Sequence, residues 1–133
     1  MKKVLLGLAV AIVLSGCASS SSILVGQARP AIHPDAVKLY LEPPKAYERI
    51  ALLEASSKAS MAVTDQGKTD KMIARLKEEA AKLGANGILL TATGNKQESG
   101  AVFVPMATGG GMLLPANSEH KSGNGLAIFV TQE

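Results

Sequence analysis

The chain has 133 residues, a formal net charge of +3, one cysteine, no tryptophan and 3% aromatic residues. A single cysteine excludes an internal disulfide framework and a thiolate metal cluster, and so few aromatics leave little surface on which bases or sugars could stack. The positive excess is partly terminal, since without Lys2 and Lys3 it falls from three to one; no basic patch for phosphates is evident and no nucleic-acid partner is expected.

The chain opens with Lys2 and Lys3, continues as an apolar run from Val4 to Leu14 broken only by Gly7, and reaches the small residues Ser15 and Gly16. That is the layout of a secretory signal peptide over 1–16, and the run is shorter than the ~20 residues a spanning helix needs. Leu14-Ser15-Gly16-Cys17 then resembles the bacterial lipobox. The resemblance implies cleavage before Cys17, a diacylglycerol thioether on its sulfur, and a further acyl chain such as palmitate on the new amine. Several acyl chains anchor a protein stably where one does not. Residue 18 is Ala, not the Asp that resembles an inner-membrane retention signal in enteric lipoproteins. The expected location is therefore the cell envelope, on the outer membrane facing the periplasm.

Residues 17–36 are Ser-rich and then carry Pro30 and Pro34, which resist helix; they are expected to form a lipidated tether for a domain spanning 37–133. Residues 37–41 alternate, with Val37, Leu39 and Leu41 on one side, and predict a half-buried strand ended by Pro43-Pro44. Residues 48–56 predict a second strand, with Ile50 and Leu52 on one face and Ala51 and Leu53 on the other. After a polar connection comes a helix from about Thr69 to Leu83. Met72, Ile73, Leu76, Ala80 and Leu83 recur at helical spacing as one apolar stripe. Thr69 or Asp65 could cap its start, Arg75–Glu79 and Glu78–Lys82 stand at i,i+4, and Gly84 suits the left-handed position that ends a helix. Residues 86–93 predict a third strand and 125–130 a fourth. Between them, 94–125 is rich in Gly, Ser and Asn around a small apolar island and is expected to be a long loop. The fold class that follows is α+β: a small four-stranded sheet with one amphipathic helix on one face, a two-layer sandwich.

The order of "VKLY", "ERIALLEAS", a helix running into "KLGANGILL", and a final "GLAIFV" resembles the domain of the Rcs-pathway envelope stress-sensor lipoprotein and the small YbjQ-like domains. Closer still is the likeness to short bacterial lipoproteins of unassigned role, carried by "PPKAYERIALLEASSK" and "TDQGKTDKMIARLKEEAAKLGANGILL". These resemblances imply a fold and not a reaction. The stress sensor's domain is braced by disulfides that this chain has no cysteines to form.

No catalytic constellation is apparent. His33 and His120 are the only histidines, both in expected loops and without a ligand set around them, so no metal or other cofactor is expected. The "TGGG" of 108–111 lacks the Lys-Ser/Thr and strand-to-helix setting of a phosphate loop, and "SSK" at 56–58 lacks the S-x-x-K spacing. Glu78 and Glu79 read as a solvated helix face. What remains is the sheet. One helix covers one face; period-two alternation places Leu53 and Phe129, with Ala51 and Ala127, on the other, a face to be covered either by the 94–125 loop or, as an interface, by an envelope protein or a second copy. The sequence thus points to a non-enzymatic envelope lipoprotein acting by protein–protein contact, with a module for a small ligand or metal as the alternative.

Overall fold

The computed structural model describes residues 20–58 and 60–133. The expected signal peptide and Cys17 lie outside the described residues. The elements in order are β1 (Ser20–Leu24), a short 3₁₀ turn (Pro34–Ala36), β2 (Lys38–Tyr40), β3 (Ala46–Ser56), α1 (Asp65–Lys82), β4 (Gly87–Pro105) and β5 (Gly111–Gln132). The sheet order is β1-β3-β5-β4-β2. All neighbours are antiparallel except β2 and β4. The α+β class with one helix on one face holds, and the sheet has five strands where four were expected.

The helix follows from its caps and its stripe. Thr64, in extended conformation, accepts a hydrogen bond on Oγ1 from the Gly67 N–H at 3.1 Å. The helix therefore starts at Asp65, one turn earlier than expected, and Thr69 sits inside it, donating its hydroxyl to the Asp65 carbonyl. Met72, Leu76 and Ala80 are buried, and Ile73 and Leu83 pack against the same core. At the other end Gly84 takes φ +72°. Its N–H reaches the Ala81 carbonyl and the Ala85 N–H reaches that of Ala80, both at 3.0 Å. These are the paired bonds of a Schellman end, which needs a residue free to adopt left-handed backbone. The expected i,i+4 pairs do not form. The Arg75 guanidinium donates to the Ser56 and Lys58 carbonyls, and Glu79 accepts from Lys82 and from the Ser20 hydroxyl.

The stretch read as a tether belongs to the domain from Ser20 on. β1 adds to the β3 edge, the Val25 and Gly26 N–H groups both donate to the Ile50 carbonyl, and the Arg29 and Ile32 N–H groups reach the Leu83 and Ala81 carbonyls. Arg29 also lays its guanidinium 3.8 Å from the Phe129 ring centroid and pairs with Glu48. At the far side Asn86 clamps β5, donating to the Val130 carbonyl at 3.1 Å and accepting from its N–H at 2.6 Å.

The two faces of the sheet are exchanged along much of its width. The β3–β5 register shifts between Arg49 and Ala51, a bulge that buries Ile50 and Ala51 together. Beyond it Ala51, Leu53 and Ala55 turn toward the helix and pair with Ala127, Gly125 and Gly123. Leu53, expected on the uncovered face, is 3% exposed within the core. Phe129 lies two residues from Ala127 on that same side, half-buried against the core under Arg29. The expected outer placement of both residues is corrected: on β3 one inserted residue reverses which face the later side chains take, and on β5, where alternation is unbroken, the helix-facing set is Gly125, Ala127 and Phe129, not Leu126 and Ile128. Leu41 and Leu52, expected inside, are exposed. All buried core residues lie between Val37 and Ile128, so the domain carries its own core.

Candidate functional site

The largest departure from expectation is the segment 94–125. It is a continuous antiparallel ladder, not a loop. β4 and β5 stay in register from Gly94↔Ser122 to Pro105↔Gly111. The Met106 N–H donates to the Gly110 carbonyl and the Gly109 N–H to that of Met106 to close the turn, with Gly109 and Gly110 at φ +90° and +80°. "TGGG" is thus the tip of a two-stranded arm. At a strand rise of ~3.3 Å per residue the arm reaches about 35 Å past Gly94. Pro105 and Pro115 are compatible with the ladder because both strands of a ribbon are edges.

The arm is polar at its root and apolar at its tip. Charge pairs Lys96–Glu54 and Lys58–Glu98, at 2.9 and 2.7 Å, tie the root to β3 and its following turn. The Lys58 ammonium holds the Glu98 carboxyl below its ordinary value through their hydrogen bond. Between Glu98 and Glu119 there is no charged residue. Cross-strand pairing puts Val102, Val104, Met112 and Leu114 on one side of the ribbon and Phe103 and Leu113 on the other. All six are exposed, Phe103 at 59% and Leu113 at 68%.

A second surface is the sheet face away from the helix. Ile23 pairs with Leu52, Leu52 with Leu126, Leu126 with Leu89 and Leu89 with Tyr40. One row of apolar and aromatic side chains therefore crosses all five strands. Ile23 and Leu52 stay 66% and 50% exposed. An uncovered apolar face was expected, and it is built from these residues in place of Leu53 and Phe129.

The third feature is a cleft at the arm's root. His120, opposite Lys96 in the ladder, is 6% exposed and not the solvated loop residue expected. Among the described residues its Nδ1 and the Ser60 Oγ both lack a hydrogen-bonding partner, and His120 and Ser60 line a cavity of about 150 Å³ together with Ser57, Lys68 and Ser118. His33 lies far along the chain in the 3₁₀ turn beside the other end of the helix, its Nδ1 accepting from the Asp35 N–H. The structure does not bring the two histidines together. Among the described residues no three His, Cys, Asp or Glu side chains are grouped to hold a metal. Ser57 of "SSK" is buried and exchanges hydrogen bonds with Lys121, bracing the root. Glu78 remains exposed on the helix. Among the described residues no helix is long and apolar enough to cross a membrane.

The arm and the row were missed in the sequence for different reasons. "AVFVP" and "MLLP" flanking a Gly-rich turn is a hairpin signal that the surrounding Gly, Ser and Asn obscure. The row depends on the bulge, which leaves no mark in composition.

No family model matches the chain, and no curated protein matches it. Among solved structures it is similar to the crystal structure of a Francisella virulence factor, FvfA. The TM-score is 0.50 at 17% identity, covering 83% of this chain and 95% of that one. At that identity the likeness concerns the fold alone.

Proposed function

We propose that the protein is a non-enzymatic bacterial envelope lipoprotein, anchored through acylated Cys17 on the outer membrane facing the periplasm, that acts by protein–protein contact in a structural or signalling role. The observation that carries the contact reading is the five-strand row Ile23, Leu52, Leu126, Leu89 and Tyr40. A contiguous apolar strip with exposed members such as Ile23 and Leu52 is what a partner or a second copy covers. The anchor reading is supported by the lipobox resemblance, and β1 begins three positions after Cys17, which would hold the domain close to the lipid. Site-specific photocrosslinking in intact cells tests the contact. A crosslinker at Leu52 should give a discrete adduct, and one at the helix residue Glu78 should not. Equal labelling at both positions, or none at Leu52, would reject the row as the contact surface.

The rival reading, a module for a small ligand or metal, is favoured by one observation: His120 and Ser60 line the same cavity, and among the described residues the His120 Nδ1 and the Ser60 hydroxyl have no partner. A small polar molecule with both a donor and an acceptor would satisfy them. Native mass spectrometry of the protein purified from its own envelope, beside His120→Phe, separates the readings. A bound mass lost in the variant favours the module.

A further inference from the structure

We infer that the tip of the β4–β5 arm seats in the surface of a lipid bilayer, on the side from which the N-terminal segment approaches the domain. The arm's chemistry supports lipid over a protein groove. A groove covers one side of a ribbon, yet here both sides are apolar at the tip: Val102, Val104, Met112 and Leu114 on one, Phe103 and Leu113 on the other. No charge interrupts the stretch between Glu98 and Glu119, and charged pairs begin only at the root. An environment that is apolar all round suits that distribution.

The topology supplies the direction. β1 runs antiparallel to β3, with Ser20 beside Ala55, and Ala55 lies beside Gly123, which pairs with Thr93. The chain therefore enters the sheet at the end from which the arm leaves. Cys17 stands three positions before Ser20, a span of at most about 11 Å. The arm extends about 35 Å in that direction. Whatever surface holds Cys17 lies within reach of the tip, and an arm longer than its tether must lean to meet it. This directional argument rests on the proposed acylation of Cys17; the argument from the tip's two apolar sides does not.

Backbone chemistry limits the depth. A lone ribbon has unpaired N–H and C=O groups along both edges, and hydrocarbon offers them no partners. The tip should therefore sit at the headgroup–acyl boundary, about 5–10 Å deep, where water still reaches the edges. Two attachments at one end of the sheet, acyl chains and arm tip, would fix the domain's orientation and leave the apolar row facing sideways.

The test uses residues 18–133 without lipid, a part that holds the whole core, so that its outcome is independent of acylation. The chain has no tryptophan, so Phe103→Trp places a unique indole at the tip. With vesicles of phosphatidylethanolamine and a minority of phosphatidylglycerol, its emission should shift to the blue and be quenched by lipids brominated near the headgroup end of the acyl chain. In cosedimentation, Phe103→Asp with Leu113→Asp should lower vesicle partitioning at least about tenfold while melting stays unchanged, since two buried apolar side chains are replaced by charge. Leu52→Asp should leave partitioning unchanged. No shift on adding vesicles overturns the inference. So does a blue shift without lipid that grows with protein concentration, which assigns the tip to a second copy. A shift produced by envelope proteins but not by lipid vesicles overturns it in favour of a protein groove.

Discussion

The β4–β5 ladder is one hairpin with two physical regimes. From Gly87 to about Thr93, and from Gly123 to Gln132, it is the centre of the sheet: Ile88 and Ala127 are fully buried, and Gly123 lies so close to the helix that a Cβ there would come within 3 Å of the Met72 sulfur. From Gly94 to Glu119 the same two strands leave the domain and stay almost wholly exposed, with His120 and Ser122 still buried at the root. Hydrogen bonding is continuous across the boundary while hydrophobic burial stops at it. Cross-strand bonds fix the shape of the arm, and burial beneath the helix stabilises the domain.

The strongest test of that division compares Leu76 with Phe103. Leu76 is fully buried in the middle of the helix stripe, and Leu76→Ala should cost about 2–5 kcal/mol in denaturant unfolding. Phe103→Ala removes a larger side chain and should cost less than about 0.5 kcal/mol, as exposed substitutions do. Comparable losses would mean that the arm is part of the cooperative core. Replacing Ser99–Asn117 by Asn-Gly, which closes a two-residue turn on the Glu98↔Ser118 pair, sharpens the point: the shortened hairpin should unfold at nearly the same denaturant midpoint.

Asn86 tests the sheet half at a smaller scale. It meets both backbone groups of Val130 from a part-buried position, and Asn86→Ala should cost about 1–3 kcal/mol because those groups lose their partner. Protection of the Val130 amide from exchange should fall with it, while the arm's amides are unaffected. Thr64→Ala removes the helix cap and should cost about 1 kcal/mol, read from the same unfolding curves.

How much of this the sequence carried depends on how local the cause is. The helix stripe and the Gly84 stop were legible because periodicity and a left-handed C-terminus are set by residues within a few positions of each other. The helix start was misplaced by a turn because Thr69 and Asp65 were the expected caps, whereas the side chain that meets a free N–H is that of Thr64. Leu53 was assigned to the wrong face because alternation was extended across Ile50, and a bulge there depends on how β3 meets β5 and the Ile50 carbonyl meets Val25 and Gly26; Phe129 was misplaced because alternation alone does not say which of the two β5 sets meets the helix. Ser20–Leu24 looked like tether because an edge strand with little to bury has no apolar alternation to show. The arm looked like a loop for a related reason, since a ribbon held by its own ladder can be built from Gly, Ser and Asn. Leu126, Leu89 and Leu52 were visible singly, and only the register of five strands joins them with Ile23 and Tyr40.

The smallest expected effect concerns charge, and it again sets the two regimes side by side. Lys38 and Tyr40 hold the Glu133 carboxyl at the far end of the sheet, and Lys58 holds Glu98 at the root of the arm. Each carboxyl is depressed below its ordinary 4.5, in both cases first by the lysine's hydrogen bond. A depressed folded value means the native state favours the charged form. The stability each pair contributes is therefore present above the ordinary carboxylate value and is lost as pH falls through the lower folded value. Both pairs are exposed, so the global loss on acidification should be slight. Carboxyl-detected NMR titration resolves them one at a time. Lys58→Met should return Glu98 toward 4.5 and leave Glu133 depressed, and Lys38→Met should move Glu133 toward 4.5 and leave Glu98 alone. The consequence for structure should differ too. Losing the Glu98 pair frees the β4 strand of the arm, which is exposed from Gly94 on, so amide protection at Lys96 and Gln97 should drop in Lys58→Met. Losing the Glu133 pair leaves β5 fixed by Asn86 and the core, so protection at Ile128 should hold in Lys38→Met. If both variants loosen their surroundings equally, burial does not separate sheet from arm, and the division drawn at Gly94 is wrong.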